Sequence, residues 1–308
     1  VVGCGHVGAT SAYALLTRGV AREVVLVDAD PRRAEGEAMD LQQAAALARP
    51  VEVRAGDWSD AAGAGVVVVA AGAGGRPGES RLDLLGRNAA VVRDVMENLL
   101  RHNFGGIVLM TTNPVDVLAQ LAQEFSGLPV ERVIGSGTVL DSARLRAMLG
   151  RRLGVEPRSV HAHVIGEHGD SEIAAWSSAR VAGVPVREFC EGAGIECPDF
   201  DELLARVRRA APDIIERKGY TSYAIASCVA RICEAVLRDE HSVLPVSTRL
   251  SGQYGVEGVY LSLPCVVGRA GVERVIEIPL DEAERAGLRA SAELLRRAVE
   301  SARGGVAR

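Results

Sequence analysis

Along the first half of the chain, short β-branched runs alternate with stretches of helical period. The segments 1–2, 23–28 ("EVVLVD"), 51–56 ("VEVRAG"), 66–72 ("VVVVAAG") and 106–112 ("GIVLMTT") read as strands. Several are apolar at every position, as strands covered on both faces are. Between them, apolar residues recur at helical spacing over about 7–19, 31–47, 83–102 and 115–124. Strand–helix–strand repetition predicts a doubly wound parallel α/β sheet of Rossmann type over residues 1–140. From 141 onward the order changes. A helix at 141–152 leads into "SVHAHVI", and long helices are expected around 170–182 and over 201–238. A strand-rich block follows at 243–278, with turn residues at Ser251, Gly252, Gly255 and Gly258, and an amphipathic helix at about 281–303 closes the chain. This predicts a second, α+β domain over 141–308. With no flexible linker in between, it should pack tightly on the first domain and leave a cleft.

Composition narrows the function classes. The 308 residues are 48% hydrophobic and 24% charged, with a net charge of −5. No concentrated basic face is available for nucleic acid or anionic membrane, and no apolar run is long enough to span a bilayer. The six cysteines form no CxxC pair and no zinc-like spacing. They read as reduced thiols of a cytoplasmic protein, with no metal site. The chain opens on "VVGCG" without a methionine, so the first strand is expected to begin upstream of Val1.

The motif Gly3-x-Gly5-x-x-Gly8 is entered from a strand and leaves into a helix. The first glycine permits the turn, the second lets backbone approach a pyrophosphate, and the third lets helix and sheet pack closely. Asp28, 20 residues beyond Gly8 at the end of the next strand, is placed to accept hydrogen bonds from ribose hydroxyls. A carboxylate there would repel a 2′-phosphate, so the expected cofactor is NAD.

The candidate chemistry lies further along. His168 stands at a strand exit in "HVIGEHGDSE", flanked by Glu167 and Asp170. Asp141 and Arg144 are three apart on a helix, a spacing equally typical of a surface ion pair. Arg81 follows the glycine-rich loop "AGAGGRPG", and Asn113 precedes Pro114 at a strand end, where turn residues are common. Together these residue types suit hydride transfer to a 2-oxo acid. A histidine gives or takes the proton, and a carboxylate orients it. One arginine grips the substrate carboxylate and another polarises the carbonyl.

The motifs "IGEHGDS", "PGESRLDLL", "TTNPVDVL", "GSGTVLDSARLR" and "KGYTSYAI" stand in an order in which the chain resembles the L-lactate dehydrogenases of the lactate/malate dehydrogenase family. The resemblance extends over essentially the whole length. It implies reversible NADH-dependent reduction of pyruvate to L-lactate, as in fermentation. His168 would be the acid/base, Asp141 its partner, Arg144 the carboxylate anchor and Arg81 the polarising loop arginine. Asn113 would lie beside nicotinamide and substrate, Thr221 would line the substrate pocket, and Ile225 would back the nicotinamide ring. In bacterial members the positions of Arg146 and His161 bind the phosphates of fructose 1,6-bisphosphate where subunits of a tetramer meet. The resemblance therefore implies a homotetramer with that effector. One position departs from the pattern: Gly75 stands where lactate dehydrogenases carry Gln and malate dehydrogenases Arg. That keeps a broader L-2-hydroxyacid dehydrogenase, or a malate dehydrogenase, open as alternatives. An NAD-binding protein with a dead site is a further alternative, and the intact His168, Asp141, Arg144 and Arg81 speak against it.

Overall fold

The computed structural model describes residues 1–73 and 81–306, with backbone alone at 81–82 and 305–306. The helices are α1 (His6–Arg18), α2 (Pro31–Ala45), α3 (Arg81–Arg101), α4 (Val115–Ser126), α5 (Val139–Leu153), α6 (Val186–Ala193), α7 (Phe200–Lys218), α8 (Tyr223–Leu237) and α9 (Glu282–Val306). The strands of the first half are β1 (Glu23–Leu26), β2 (Glu52–Ala55), β3 (Val66–Val69), β4 (Ile107–Met110) and β5 (Val133–Gly135). Short strands follow: β6 (Val160–His161), β7 (Val164–Ile165), β8 (Ile173–Ala174), β9 (Arg180–Val181) and β10 (Val184–Pro185). Three longer ones complete the set, β11 (Ser242–Ser251), β12 (Glu257–Gly268) and β13 (Gly271–Val275).

β3, β4 and β5 pair in parallel, and β11, β12 and β13 extend the same sheet antiparallel in the order β13-β12-β11-β5-β4-β3. The two halves of the chain thus share one sheet, joined where Ser247 pairs with Gly135. β1 and β2 form a parallel pair, and Val2 bridges both Val27 and Val69, linking that pair to β3.

The apolar runs of the central strands are explained by burial on both faces. Val67, Val69, Val108, Met110 and Val133 pack with Val92 and Met96 of α3, Leu118 and Leu121 of α4, and Leu288 and Leu295 of α9. Their neighbours Val68, Ile107, Leu109 and Ile134 point the other way, into a layer with Leu15 and Leu16 of α1, Leu41 of α2 and Ile232 of α8. Alternate side chains of one strand therefore enter opposite cores. A third cluster joins α5 to α6, α7 and the short strands β6–β9, through Leu145, Leu149, Val160, Val181 and Phe200.

Two expected helices are corrected. Residues 170–182 form no α-helix: β8 pairs with β7, a short 3-10 helix covers Trp176–Ser178, and Ala182 and Gly183, both with positive φ, turn the chain into β10. The alanine-rich composition favours helix, but pairing to the strand that carries the His168 signature overrides that weak preference. The long helix expected over 201–238 is two helices. Gly219, in the left-handed region at φ 85°, closes α7 through its N–H to the Ile215 carbonyl, and α8 starts afresh at Tyr223.

Candidate active site

The site is assembled at the carboxyl ends of the parallel strands, where α/β sheets bind ligands. The glycine loop follows Val2, Asp28 follows β1, Asn113 follows β4, and Asp141 lies one turn into α5 after β5.

The three glycines of the loop are not equivalent. Gly3 has φ 90°, and a Cβ there would stand 2.6 Å from the backbone of Ala71. A Cβ on Gly8 would stand 1.7 Å from the Gly3 carbonyl oxygen. Both are required by the protein's own packing. Gly5 has no atom within 4 Å of that position, and it is the N-cap of α1 without any side-chain capping bond. Open space over a bare helix N-terminus is the cradle a pyrophosphate needs, so the residues fit the cofactor. Asp28 accepts the Cys4 N–H at 2.6 Å and the Asp30 N–H at 2.9 Å, which fixes the carboxylate at the head of the loop. The imidazole of His6 stacks on Tyr220 with centroids 3.8 Å apart, tying this loop to the Gly219–Ser222 connection. Thr221 sits half-buried in that connection, and Ile225 lies half-buried in the first turns of α8, which packs on both α1 and α5.

At the other end, Asp141 is 2% exposed and bridges two cations. His168 Nδ1 lies 2.6 Å from its Oδ2, and Arg144 Nη1 donates to its Oδ1 at 2.9 Å. The Asp141–Arg144 pair is therefore buried at the dyad, with side-chain exposures of 3% and 13%, and is not a surface ion pair. His168 keeps 24% of its side chain exposed, so a small acid can reach the ring. Burial alone would lower the His168 pKa, but the Asp141 carboxylate and its hydrogen bond outweigh it and push the ring up to about 9. Asp141 is pulled up by burial and down more strongly by His168 and Arg144, so it stays below the ordinary carboxylate range. Both shifts favour an imidazolium–carboxylate pair at neutral pH.

Asn113 is exposed, and its carbonyl accepts Asn88 Nδ2 at 3.1 Å across a cis bond to Pro114. Arg81 opens α3, and its side chain lies outside the described residues, as Gly75 does altogether. Arg146 points away from the dyad: its Nε donates to the Ala162 carbonyl at 2.9 Å, and an Nη lies 3.2 Å from His163 Nδ1. His161 is exposed on β6, opposite Arg180 of β9.

Similarity to known proteins gives the geometry its context. Residues 1–135 match the family model of the lactate/malate dehydrogenase NAD binding domain, and residues 138–304 match that of the lactate/malate dehydrogenase alpha/beta C-terminal domain. The chain belongs to the lactate/malate dehydrogenase family. It is 50% identical over 302 residues to the L-lactate dehydrogenase of Moorella thermoacetica, covering 97% of this chain and 95% of that one. It is 47% identical to the L-lactate dehydrogenase of Thermoanaerobacter pseudethanolicus, covering 97% of each. Among solved structures it superposes with a TM-score of 0.95 on a lactate dehydrogenase from a Medee basin deep-sea metagenome, at 41% identity and over 98% and 97% of the two chains. The minor L-lactate dehydrogenase of Enterococcus mundtii in its ligand-bound form gives the same score at 40% identity, over 97% and 96%. The cofactor of the family's N-terminal domain is NAD, as expected from Asp28 and the glycine loop.

Sequence reasoning missed three buried polar residues near the dyad. Asp116, 2% exposed, accepts the backbone N–H of His168 at 2.7 Å, and burial raises its pKa to about 6. Its helical setting among apolar residues in "PVDVL" was the available signal. Asn88, 3% exposed, also accepts the Ala73 N–H at 2.7 Å and so joins the strand ends after β3 and β4. Glu172 is buried beside the dyad. Glu167 and Asp170, the acids that flank His168 in the sequence, lie elsewhere: Glu167 accepts the Ser171 N–H, and Asp170 is exposed.

Proposed function

We propose that this chain is an NAD-dependent L-lactate dehydrogenase, catalysing the reversible reduction of pyruvate to L-lactate in cytoplasmic fermentation. The observation that carries the reading is the buried Asp141 carboxylate holding His168 at 2.6 Å and Arg144 at 2.9 Å, at the strand ends that also carry the glycine loop. The names of the curated relatives support it. Bound NADH supplies the hydride. Arg144 keeps guanidinium donors beyond the one spent on Asp141, and these grip the substrate carboxylate. The His168 imidazolium donates the proton to the substrate oxygen and recovers it in the reverse direction, while Asp141 holds the ring and its charge. Arg81 polarises the carbonyl, Thr221 and Asn113 line the substrate, and Ile225 backs the nicotinamide. Replacing His168 with Asn should leave NADH binding intact and lower turnover by about 10²–10⁴-fold. A variant keeping more than about a tenth of the activity removes His168 from the mechanism.

The second reading is broader specificity. Gly75, on the substrate loop in the alignment of motifs, supplies neither a Gln nor an Arg, so larger 2-oxo acids are substrates as well. Malate dehydrogenase activity is weak on this account, because no cation is assigned to the second carboxylate of oxaloacetate.

Regulation is proposed at Arg146 and His161, in a homotetramer activated by fructose 1,6-bisphosphate. Burial lowers the Arg146 pKa, and among the described residues no acid offsets it, which leaves a half-buried cation suited to an anion. His161 is exposed on β6, an edge of the three-stranded sheet, opposite Arg180. Arg146→Gln should abolish activation by the bisphosphate. An unchanged response, or no effect of millimolar effector on parent kinetics and sedimentation, refutes the site.

A further inference from the structure

Glu172 lies four residues beyond His168, where the chain enters β8. It is 2% exposed, turned inward among groups of both signs. One of its carboxyl oxygens, one of Asp141 and a ring nitrogen of His168 all lie within 4.8 Å of one another. Oε1 of Glu172 has no hydrogen-bond partner among the described residues. The residue is nonetheless held at its backbone: its N–H donates to the Gly169 carbonyl at 3.2 Å, and its carbonyl accepts the guanidinium of Arg208.

Two buried carboxyls this close do not both ionise at neutral pH without a large penalty. Asp141 has a cation on each oxygen and is the ionised one. Glu172 is the one left holding a proton. We propose that Glu172 is a positioning residue for His168: its carboxyl and the imidazolium titrate as a coupled pair, so that ionised Glu172 keeps His168 charged to higher pH than Asp141 alone does. The idea rests on the assignment of His168 as the proton donor.

The surroundings agree. Burial and the Asp141 charge push Glu172 up to about 8, while His168, Arg208 of α7 and Arg144 of α5 pull it back. His168 titrates at about 9, with Asp141, Asp116 and Glu172 all favouring its charged form. The Asp141 carboxylate at 2.6 Å holds the imidazolium, whereas Glu172 Oε1 has no hydrogen-bond partner among the described residues, so the site passes from acid plus imidazolium, through carboxylate plus imidazolium, to carboxylate plus neutral ring. In the middle state Glu172 has given up its proton and His168 has not, which extends the pH range over which the donor is loaded.

Glu172→Gln is isosteric with the protonated acid and tests this directly. Below pH 7 the variant should reduce pyruvate within about twofold of the parent, because Gln mimics the state already present. Its alkaline limb of kcat/KM should fall about one pH unit earlier, giving about tenfold lower activity near pH 9.5. The pH limb of lactate oxidation, which needs the neutral ring, should move the same way by the same amount. Limbs coincident with the parent's overturn the proposal, and so does an equal loss at every pH, which would mark a structural role. If the variant does not fold, NMR titration of the His168 ring in the parent–NADH complex decides. A transition in two steps, the first near that of Glu172, supports coupling, and a single step overturns it. His168→Asn measured alongside separates the two ideas. Retained activity there sinks the donor assignment, whereas coincident limbs with an inactive His168→Asn sink only the role of Glu172.

Discussion

Replacing Asp141 with Asn removes one charge from the centre of the site and changes little in volume. In the parent the ring of His168 is raised from 6.5 to about 9 although burial works against it. A shift of that size corresponds to about 3 kcal/mol of preference for the imidazolium, which the carboxylate at 2.6 Å supplies first. Without the carboxylate the largest favourable contribution is gone, and burial pulls the ring well below 9 against the smaller help of Asp116 and Glu172. At pH 7.5 the charged fraction, nearly complete in the parent, then falls. The same loss reduces the ability of the ring to carry charge while a proton moves, so kcat/KM for pyruvate should fall by about 10²–10³-fold at that pH. The sign of the pH dependence follows from the raised pKa. Parent activity in pyruvate reduction is full below the folded pKa and declines as pH rises through about 9, and in Asp141→Asn that decline begins at lower pH. Stopped-flow NADH oxidation from pH 5 to 10 measures both, with NADH fluorescence titration to show that the cofactor still binds. Activity within about threefold of the parent and an unmoved alkaline limb would refute the reasoning.

The glycine loop makes two opposite expectations. Gly8→Ala places a methyl 1.7 Å from the Gly3 carbonyl, so it should cost about 3 kcal/mol or more of stability and several degrees of Tm, read by calorimetry. Gly5→Ala meets nothing within 4 Å, so it should melt like the parent while NADH binds about tenfold more weakly; unchanged binding would put the pyrophosphate elsewhere. Gly75→Gln should sharpen preference for pyruvate over larger 2-oxo acids by about tenfold, and Gly75→Arg should raise oxaloacetate turnover. If neither ratio moves by more than about twofold, position 75 does not set specificity.

What was legible in the sequence follows from how local its causes are. The parallel sheet was readable because Val66–Val69 and Ile107–Met110 are buried on both faces and so are apolar throughout. The glycine loop and Asp28 were readable because their spacing is fixed by one strand and one helix. His168, Asp141 and Arg144 were recognisable as residue types and motifs, but their meeting depends on β7 delivering the signature to the start of α5, which no local pattern states. The helix expected over 170–182 failed for the same reason: pairing of Ile173 with Ile165 is decided across the fold. Gly219 is a visible breaker inside the expected 201–238 helix, and its left-handed backbone ends α7 there. Asp116 offered only its apolar neighbours in "PVDVL" as a signal, and Glu172, a single acid in ordinary surroundings, offered none. Their significance arises only from burial beside His168.

Steady-state NADH oxidation with pyruvate and with oxaloacetate, followed by chiral analysis of the product, distinguishes a lactate dehydrogenase from its alternatives. L-Lactate should form from pyruvate, with kcat/KM for pyruvate at least about a hundredfold above that for oxaloacetate. Preference for oxaloacetate, a D-configured product, or no NADH consumption with either acid would contradict that assignment.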